Sequence, residues 1–206
     1  MQKPVIEFIF DFGSPNAYLV HKVLPTVAKW HGAEIKLVPC LLGGIFKATG
    51  NQAPFAAFAG IKGKLDYDRL EMERFARRHD LHAFKMNPHF PINTLALMRG
   101  MVAAQHLGVA AKYLDIVLAG MWEDGEKMDD PEVFLARLNR GELDGQRLVE
   151  LANSPEVKAE LASNTEEAVA RGVFGIPTFF VGDEMFFGKE RLLQIEELLI
   201  KISSKA

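Results

Sequence analysis

Three places in this sequence have residue types and settings that could do chemistry. Ser14 follows an apolar, aromatic run, Val5-Ile-Glu-Phe-Ile-Phe-Asp-Phe12, and one glycine, and it precedes Pro15 and a helical pattern. Ser favours the N-cap and Pro the first helical position, so the segment reads as strand, glycine, cap, helix. The free N–H groups at a helix start attract negative charge, and a hydroxyl adds one more donor. Ser14 is therefore placed either to close a helix end or to hold an anion. The second place is Gly175-Ile-Pro177-Thr178, a proline opening a strand, with a cis bond and a trans edge proline both open. The third is Lys47 with Asn51, in the apolar, Gly-rich segment Leu41-Leu-Gly-Gly-Ile-Phe-Lys-Ala-Thr-Gly-Asn-Gln52. A lysine can neutralise a carboxylate and an asparagine can fix a hydroxyl or carbonyl, although loop residues that only face solvent look the same.

Other reactive residue types say less. His79, His82 and His89 match no zinc spacing and lack thiol or carboxylate partners, so no metal is expected. His21 and His106 fall on helical patterns and read as structural or surface residues. Cys40 is the one cysteine, which excludes an intrachain disulfide and reads as a small buried hydrophobe. Met98, Met101, Met121 and Met128 lie at or near helical apolar positions and are expected to pack.

The elements that must position these residues follow from periodicity. Val5–Phe12 is too short and too aromatic for a typical helix and predicts a buried strand. Tyr18, Leu19, Val23, Leu24, Val27 and Trp30 recur at helical spacing up to His31-Gly32. Ala33–Pro39 predicts a second strand, and strand-helix-strand with a long crossover implies a parallel, right-handed pair. Residues 40–66, rich in glycine and low in charge, with Phe46, Phe55 and Phe58, predict a long functional loop rather than disorder. Helices are predicted over Tyr67–His79, Asn93–His106 and Val109–Trp122, with shorter ones over 131–139, 145–153 and 155–171. Strands return at Pro177–Val181 and Met185–Phe187 around Gly182-Asp183, a hairpin signal. A last helix starts near Lys189 or Glu190, with Leu192, Ile195, Leu199 and Ile202 on one face. The expected class is α/β: a thioredoxin-like β-α-β plus β-β-α sheet from residues 1–40 and 172–206, with a large inserted all-helical domain over 41–171. In that layout the strand-opening proline faces the helix start after the first strand.

The bulk numbers narrow the function class. The chain has 206 residues, 49% hydrophobic and 25% charged, enough for a large core without disulfides or metals. A formal net charge of −3, with both signs scattered, gives no basic stripe for nucleic acid and no membrane-surface patch. No apolar run approaches the roughly 18 residues of a spanning helix. Met1–Phe8 holds no apolar signal segment, so a soluble, cytoplasmic protein is expected.

Taken together and in order, these segments resemble a known group. Phe10-Asp-Phe-Gly-Ser14-Pro-Asn-Ala-Tyr-Leu19 resembles the active-site segment of the 2-hydroxychromene-2-carboxylate isomerases and of the kappa-class glutathione transferases. Both belong to the thioredoxin superfamily, near the DsbA-like oxidoreductases. Leu41–Asn51, Asn87-Pro-His-Phe-Pro-Ile-Asn93-Thr and Arg171–Gly188 resemble further motifs of the group, and the likeness covers nearly the whole chain. Where redox relatives carry Cys-x-x-Cys, this sequence has Ser14-Pro-Asn-Ala17, so dithiol exchange at this position is not possible.

The resemblance implies glutathione as cofactor, with Ser14 stabilising its thiolate, and a homodimer. It implies that Ile176, beside Pro177, pairs its backbone with the cofactor's cysteine. Lys189 and Glu190 would meet the γ-glutamyl end, and Lys62 or Lys64 the glycine carboxylate. Lys47 and Asn51, with Asn87 and Pro88 of the third motif, would meet the substrate, an aromatic or unsaturated carboxylate. Lys189-Glu190 stands where relatives often carry a small polar residue and Asp, and Asn16-Ala17 where aromatic or hydroxylated residues are common. The implied reaction interconverts a 2-hydroxychromene-2-carboxylate and its trans-hydroxybenzylidenepyruvate by thiolate addition, bond rotation and elimination. The alternatives are a kappa-like transferase that leaves the thiolate attached, and a thioredoxin-fold module that binds without chemistry. A redox enzyme would have only Cys40 to stand on.

Overall fold

The computed structural model describes residues 3–204. The outermost residues of the expected boundaries, 1–2 and 205–206, lie outside the described residues, and with them the start of the segment read for a signal. Strands β1 (Val5–Phe10), β2 (Glu34–Pro39), β3 (Thr178–Val181) and β4 (Glu184–Phe187) form one sheet in the order β2-β1-β3-β4. β1 and β2 are parallel, from Val5 opposite Glu34 to Phe10 opposite Pro39, and the β1–β3 and β3–β4 pairs are antiparallel. Both ends of the chain thus build the same sheet, as the β-α-β plus β-β-α order expects. β1 is central and, Glu7 apart, apolar: Ile6, Phe8, Ile9 and Phe10 are each at most 1% exposed. Phe8 stacks on Phe179 of β3 at 5.2 Å between ring centroids, and each such buried ring contributes about 1.5–3 kcal/mol. The strand ends at Phe10. Asp11 and Phe12, read as its last residues, have left the sheet and lie buried in the turn that follows.

Helix α1 (Pro15–Trp30) joins β1 to β2 and buries Ala17, Tyr18, Leu19, Val20, Leu24, Val27 and Ala28. The chain closes with a 3-10 turn at Lys189–Arg191 and helix α10 (Leu192–Ser204). α10 buries Leu192, Ile195 and Leu199, while Ile202, expected on the same face, is 38% exposed because the helix runs past its last core residue. Between the sheet halves lie α2 (Leu42–Thr49), α3 (Pro54–Ala57), α4 (Lys64–Arg78), α5 (Leu95–His106), α6 (Ala110–Trp122), α7 (Pro131–Arg140), α8 (Gly145–Ala152) and α9 (Pro155–Ala170). α5 is buried nearly all round. Its Gly100 has no room for a side chain, because an added Cβ would lie 2.1 Å from the Tyr113 hydroxyl of α6. That hydroxyl donates to the Leu97 carbonyl at 2.8 Å and binds the two helices together. Met98, Met101, Met121 and Met128 are all core residues.

The largest departure from the sequence pattern is α2. Residues 40–66 read as one long loop, yet Leu42–Thr49 is helical and Pro54–Ala57 forms a further short turn of helix. The N-cap residue of α2 is Leu41, which has no side-chain acceptor, and Gly43-Gly44 lower the intrinsic helix propensity. The start of α2 is satisfied from elsewhere. The Leu41 N–H donates to Thr165 Oγ1 of α9 at 3.0 Å, and the Leu42 N–H donates to Asp11 Oδ2 at 2.7 Å. Tertiary capping of this kind has no signature in the local sequence.

Candidate functional site

Ser14 caps α1 with extended backbone, and its Oγ accepts the Ala17 N–H at 3.2 Å. The hydroxyl proton goes across the molecule: Ser14 Oγ donates to the Ile176 carbonyl at 3.0 Å, 162 residues away in sequence. The Ile176–Pro177 bond is cis. The Pro177 carbonyl in turn accepts the Gly188 N–H at 2.9 Å, which brings the turn before Lys189 onto the same loop. Asn51 joins it as well, with Nδ2 donating to the Phe174 carbonyl at 2.7 Å. Hydrogen bonds thus gather Ser14, Ile176, Pro177, the turn entering Lys189-Glu190, and Asn51 along one edge of the molecule.

Beneath Ser14 lies a polar anchor that the sequence pattern did not single out. Asp11 is wholly buried, and its Oδ1 accepts the Gly13 N–H at 2.7 Å while Oδ2 takes that of Leu42. Thr94, at the N-cap of α5, packs against the same turn. Gly13 is so tightly enclosed that an added Cβ would lie 3.2 Å from Thr94 Cγ2 and 3.3 Å from Asp11 Oδ1. Burial holds the Asp11 carboxyl above the ordinary carboxylate range, against the hydrogen bonds from Leu42 and Gly13, which favour ionisation. The signal available in sequence was a carboxylate near the end of an apolar strand run that also holds Glu7, since a buried acid must find partners. Trp122 braces the same turn, its Nε1 donating to the Phe12 carbonyl at 2.9 Å.

The other candidate residues are placed as follows. Lys189 is buried and ion-paired with Glu190, and its ammonium lies 5.8 Å from the centre of the Phe75 ring. Burial alone would raise the Glu190 carboxyl; the hydrogen bond and charge of Lys189 hold it below its ordinary value. Lys47 on α2 and Lys62 before α4 are exposed, and no hydrogen bond among the described residues ties them to the Ser14 edge. Lys64 pairs with Asp68 and lies 5.0 Å over the Phe58 ring. Asn87 is committed inside the protein: Nδ2 donates to the Met121 and Glu126 carbonyls at 2.9 and 2.8 Å, and Oδ1 accepts the His89 N–H at 2.8 Å. Pro88 packs beside Gly125, in the connection that follows α6. These two residues therefore hold a loop in place, and their hydrogen bonds do not reach the Ser14 edge.

Two further groups bear on the chemistry. Burial pushes the Cys40 thiol up to about 12, with the charges of Asp11 and Glu167 adding to it, so Cys40 is not a thiolate near neutral pH. Burial and the hydrogen bond to Glu123 hold the Tyr18 hydroxyl well above its usual value. Among the described residues no three His, Cys, Asp or Glu side chains gather as a metal site would. No helix among them is long and apolar enough to cross a membrane. His21 instead pairs with Asp115, and His106 with Glu160.

The Ser14 edge presents polar groups that an anion could meet. It offers a hydroxyl, the Asn16 N–H at the start of α1 and, beside them, a backbone carbonyl. Asn16 Oδ1, within the same first turn, is buried without a hydrogen-bond partner.

Known proteins share this architecture. The family model of the DSBA-like thioredoxin domain matches residues 5–200. A 2-hydroxychromene-2-carboxylate isomerase from Pseudomonas sp. (strain C18) is 27% identical over 193 residues, which cover 93% of this chain and 88% of that one. Glutathione S-transferase kappa 1 from Homo sapiens is 25% identical over 212 residues, covering 94% of this chain and 90% of that one. A solved structure of a 2-hydroxychromene-2-carboxylate isomerase matches with a TM-score of 0.84 at 26% identity, covering 98% of this chain and 97% of that one.

Proposed function

From the premise that this chain belongs to the family of DSBA-like thioredoxin domains, we propose that it is a glutathione-dependent isomerase of 2-hydroxychromene-2-carboxylate-type compounds. The chain is an enzyme, with isomerases and glutathione transferases among its near full-length relatives. The observation that carries the proposal is the Ser14 hydroxyl, set at a helix start against the Ile176 carbonyl, with no thiol beside it. Such a site holds a thiolate that another molecule brings.

A free thiol, with a pKa of about 8.5, is only a few per cent ionised at pH 7. Donation from Ser14 and from the first turn of α1 would lower that pKa by one to two units, at ~1.4 kcal/mol per unit. The thiolate then becomes a large fraction of the bound cofactor. When bound, glutathione supplies a nucleophile that adds to a conjugated carbon and leaves again, so that a double bond turns as a single one. The chain's own residues do the rest. Ile176 accepts the N–H of the cofactor's cysteine. Lys189 and Glu190 meet the charged γ-glutamyl end, and Lys62 the glycine carboxylate. Lys47 neutralises the substrate carboxylate and Asn51 orients its oxygens, while Asn87 and Pro88 shape the substrate side by holding their loop. The same proposal makes the protein a cytoplasmic homodimer.

Ser14→Ala, assayed with glutathione and a hydroxychromene carboxylate, is expected to lose about 10²- to 10³-fold in kcat/KM, as when a single oxyanion donor is removed. An unchanged rate would sink the mechanism. The kappa transferase relative supports a second use of the same site, conjugation. Product analysis separates the two, because a stable thioether means transfer and recovered glutathione means isomerisation.

A further inference from the structure

We propose that Asp11 is a positioning residue, whose one buried carboxylate ties the turn carrying Ser14 to the start of α2 and so fixes the thiolate site relative to the helix that bears Lys47 and leads to Asn51. The chemical consequence rests on the function proposed above; the mechanical tie does not.

The tie is made of short bonds to separate parts of the site. Oδ1 and Oδ2 each accept a backbone N–H at 2.7 Å, from Gly13 next to Ser14 and from Leu42 at the first position of α2. A fully buried carboxylate is costly unless donors surround it, and hydrogen bonds to an ionised acceptor are strong and directional. Leu41 supplies no capping oxygen, so Asp11 and Thr165 stand in for the missing N-cap. The negative charge of Asp11 also suits the positive end of α2. A displacement of α2 must therefore pull on the same carboxylate that holds Gly13. Misplacement of a reacting group by about 1 Å can cost about 10²-fold in rate.

The test compares Leu42→Pro with Leu42→Ala in the full chain. Proline is accepted at the first helical position, and Leu41, extended at φ −86 and ψ 109, suits a residue before proline. Both variants lose the leucine side chain, but only proline loses the N–H that Asp11 holds. In the ligand-free protein, amide exchange across Gly13–Ala17 is expected to be about tenfold faster in Leu42→Pro than in Leu42→Ala, as a local opening made easier. Equal exchange would overturn the tie. With glutathione and substrate, kcat of Leu42→Pro is expected about tenfold below that of Leu42→Ala at similar glutathione affinity. An Asp11 that only stabilised the fold would lower Tm and leave kcat, measured well below Tm, at the Leu42→Ala value. If Leu42→Pro does not fold, Asp11→Asn serves: its single acceptor oxygen forces an NH₂ against one of the two N–H groups, and exchange must quicken at Gly13 or at Leu42. Wild-type protein that shows the exchange coupling but neither binds glutathione nor turns over would sink the proposed function and leave the tie standing. Active wild-type protein without the coupling would do the reverse.

Discussion

The helices α1 and α2 begin in opposite ways. α1 carries its cap in its own sequence, Ser14 followed by Pro15 at the first helical position. α2 begins on a leucine and takes its acceptors from Asp11, 31 residues from Leu42, and from Thr165, 124 residues from Leu41. A local cap needs only neighbouring residues, whereas a tertiary cap exists only once β1 and α9 have packed around it. The contrast also shows how a cap can take on chemistry. Capping uses a lone pair of the Ser14 oxygen, through Ala17, and leaves the hydroxyl proton for a different partner. The Asp130 cap of α7 has no such proton when ionised.

The sharpest way to break the comparison is at Ser14 itself. Ser14→Asp keeps a capping acceptor but removes the proton and adds a negative charge. Glutathione affinity is expected to fall by at least about tenfold, below that of Ser14→Ala, because like charges in a buried site repel. Calorimetry that found wild-type affinity in the aspartate variant would refute thiolate binding there. Next comes the borrowed cap. Thr165→Val leaves the Leu41 N–H without its acceptor and should cost about 1–3 kcal/mol in urea unfolding, while Thr165→Ser should cost much less.

Asp11 should then show itself as a pH effect. Its folded carboxyl lies above the unfolded value of 3.8, so the folded state holds that proton more tightly. The contribution to stability is full below pH 3.8 and is lost as pH rises through the higher folded pKa. Measured by Tm, the wild type should lose ground against Asp11→Asn across that interval and hold a constant difference above it. A difference that is flat with pH would mean that Asp11 does not titrate differently on folding. The smallest effect is expected at Ser154, a local cap with no second role, which accepts the Val157 N–H at 3.3 Å. Ser154→Ala should cost about 1 kcal/mol and leave kcat unchanged.

The same contrast explains what the sequence could tell. β1, the hairpin of β3 and β4, α1 and α5 to α9 were legible because their own residues carry the period and, at α7, α8 and α9, the cap. Ser14 and Pro177 were legible as facing each other because each marks the start of an element whose order fixes where it must sit, while Ile176 came only with the resemblance. α2 was not, since its two glycines and leucine cap describe a loop until Asp11 and Thr165 arrive. Thr94 was visible only as part of a motif, and its role beside Asp11 depends on a burial that periodicity cannot report. Asn87 drew attention by its motif, yet its amide serves the backbone around Met121 and Glu126.

A hydroxyl has one proton, and that of Ser14 is already given to Ile176. A thiolate can receive it only by displacing that carbonyl, which belongs to a residue 7% exposed and would be left without a donor. A ligand that takes the hydroxyl would leave Ile176 satisfied if it brought a donor of its own, such as an N–H. A small bare thiol has none to offer, while a cysteine set between amides does. On the proposed function the site would work as an exchange of partners, one that a thiol carried on a peptide can complete.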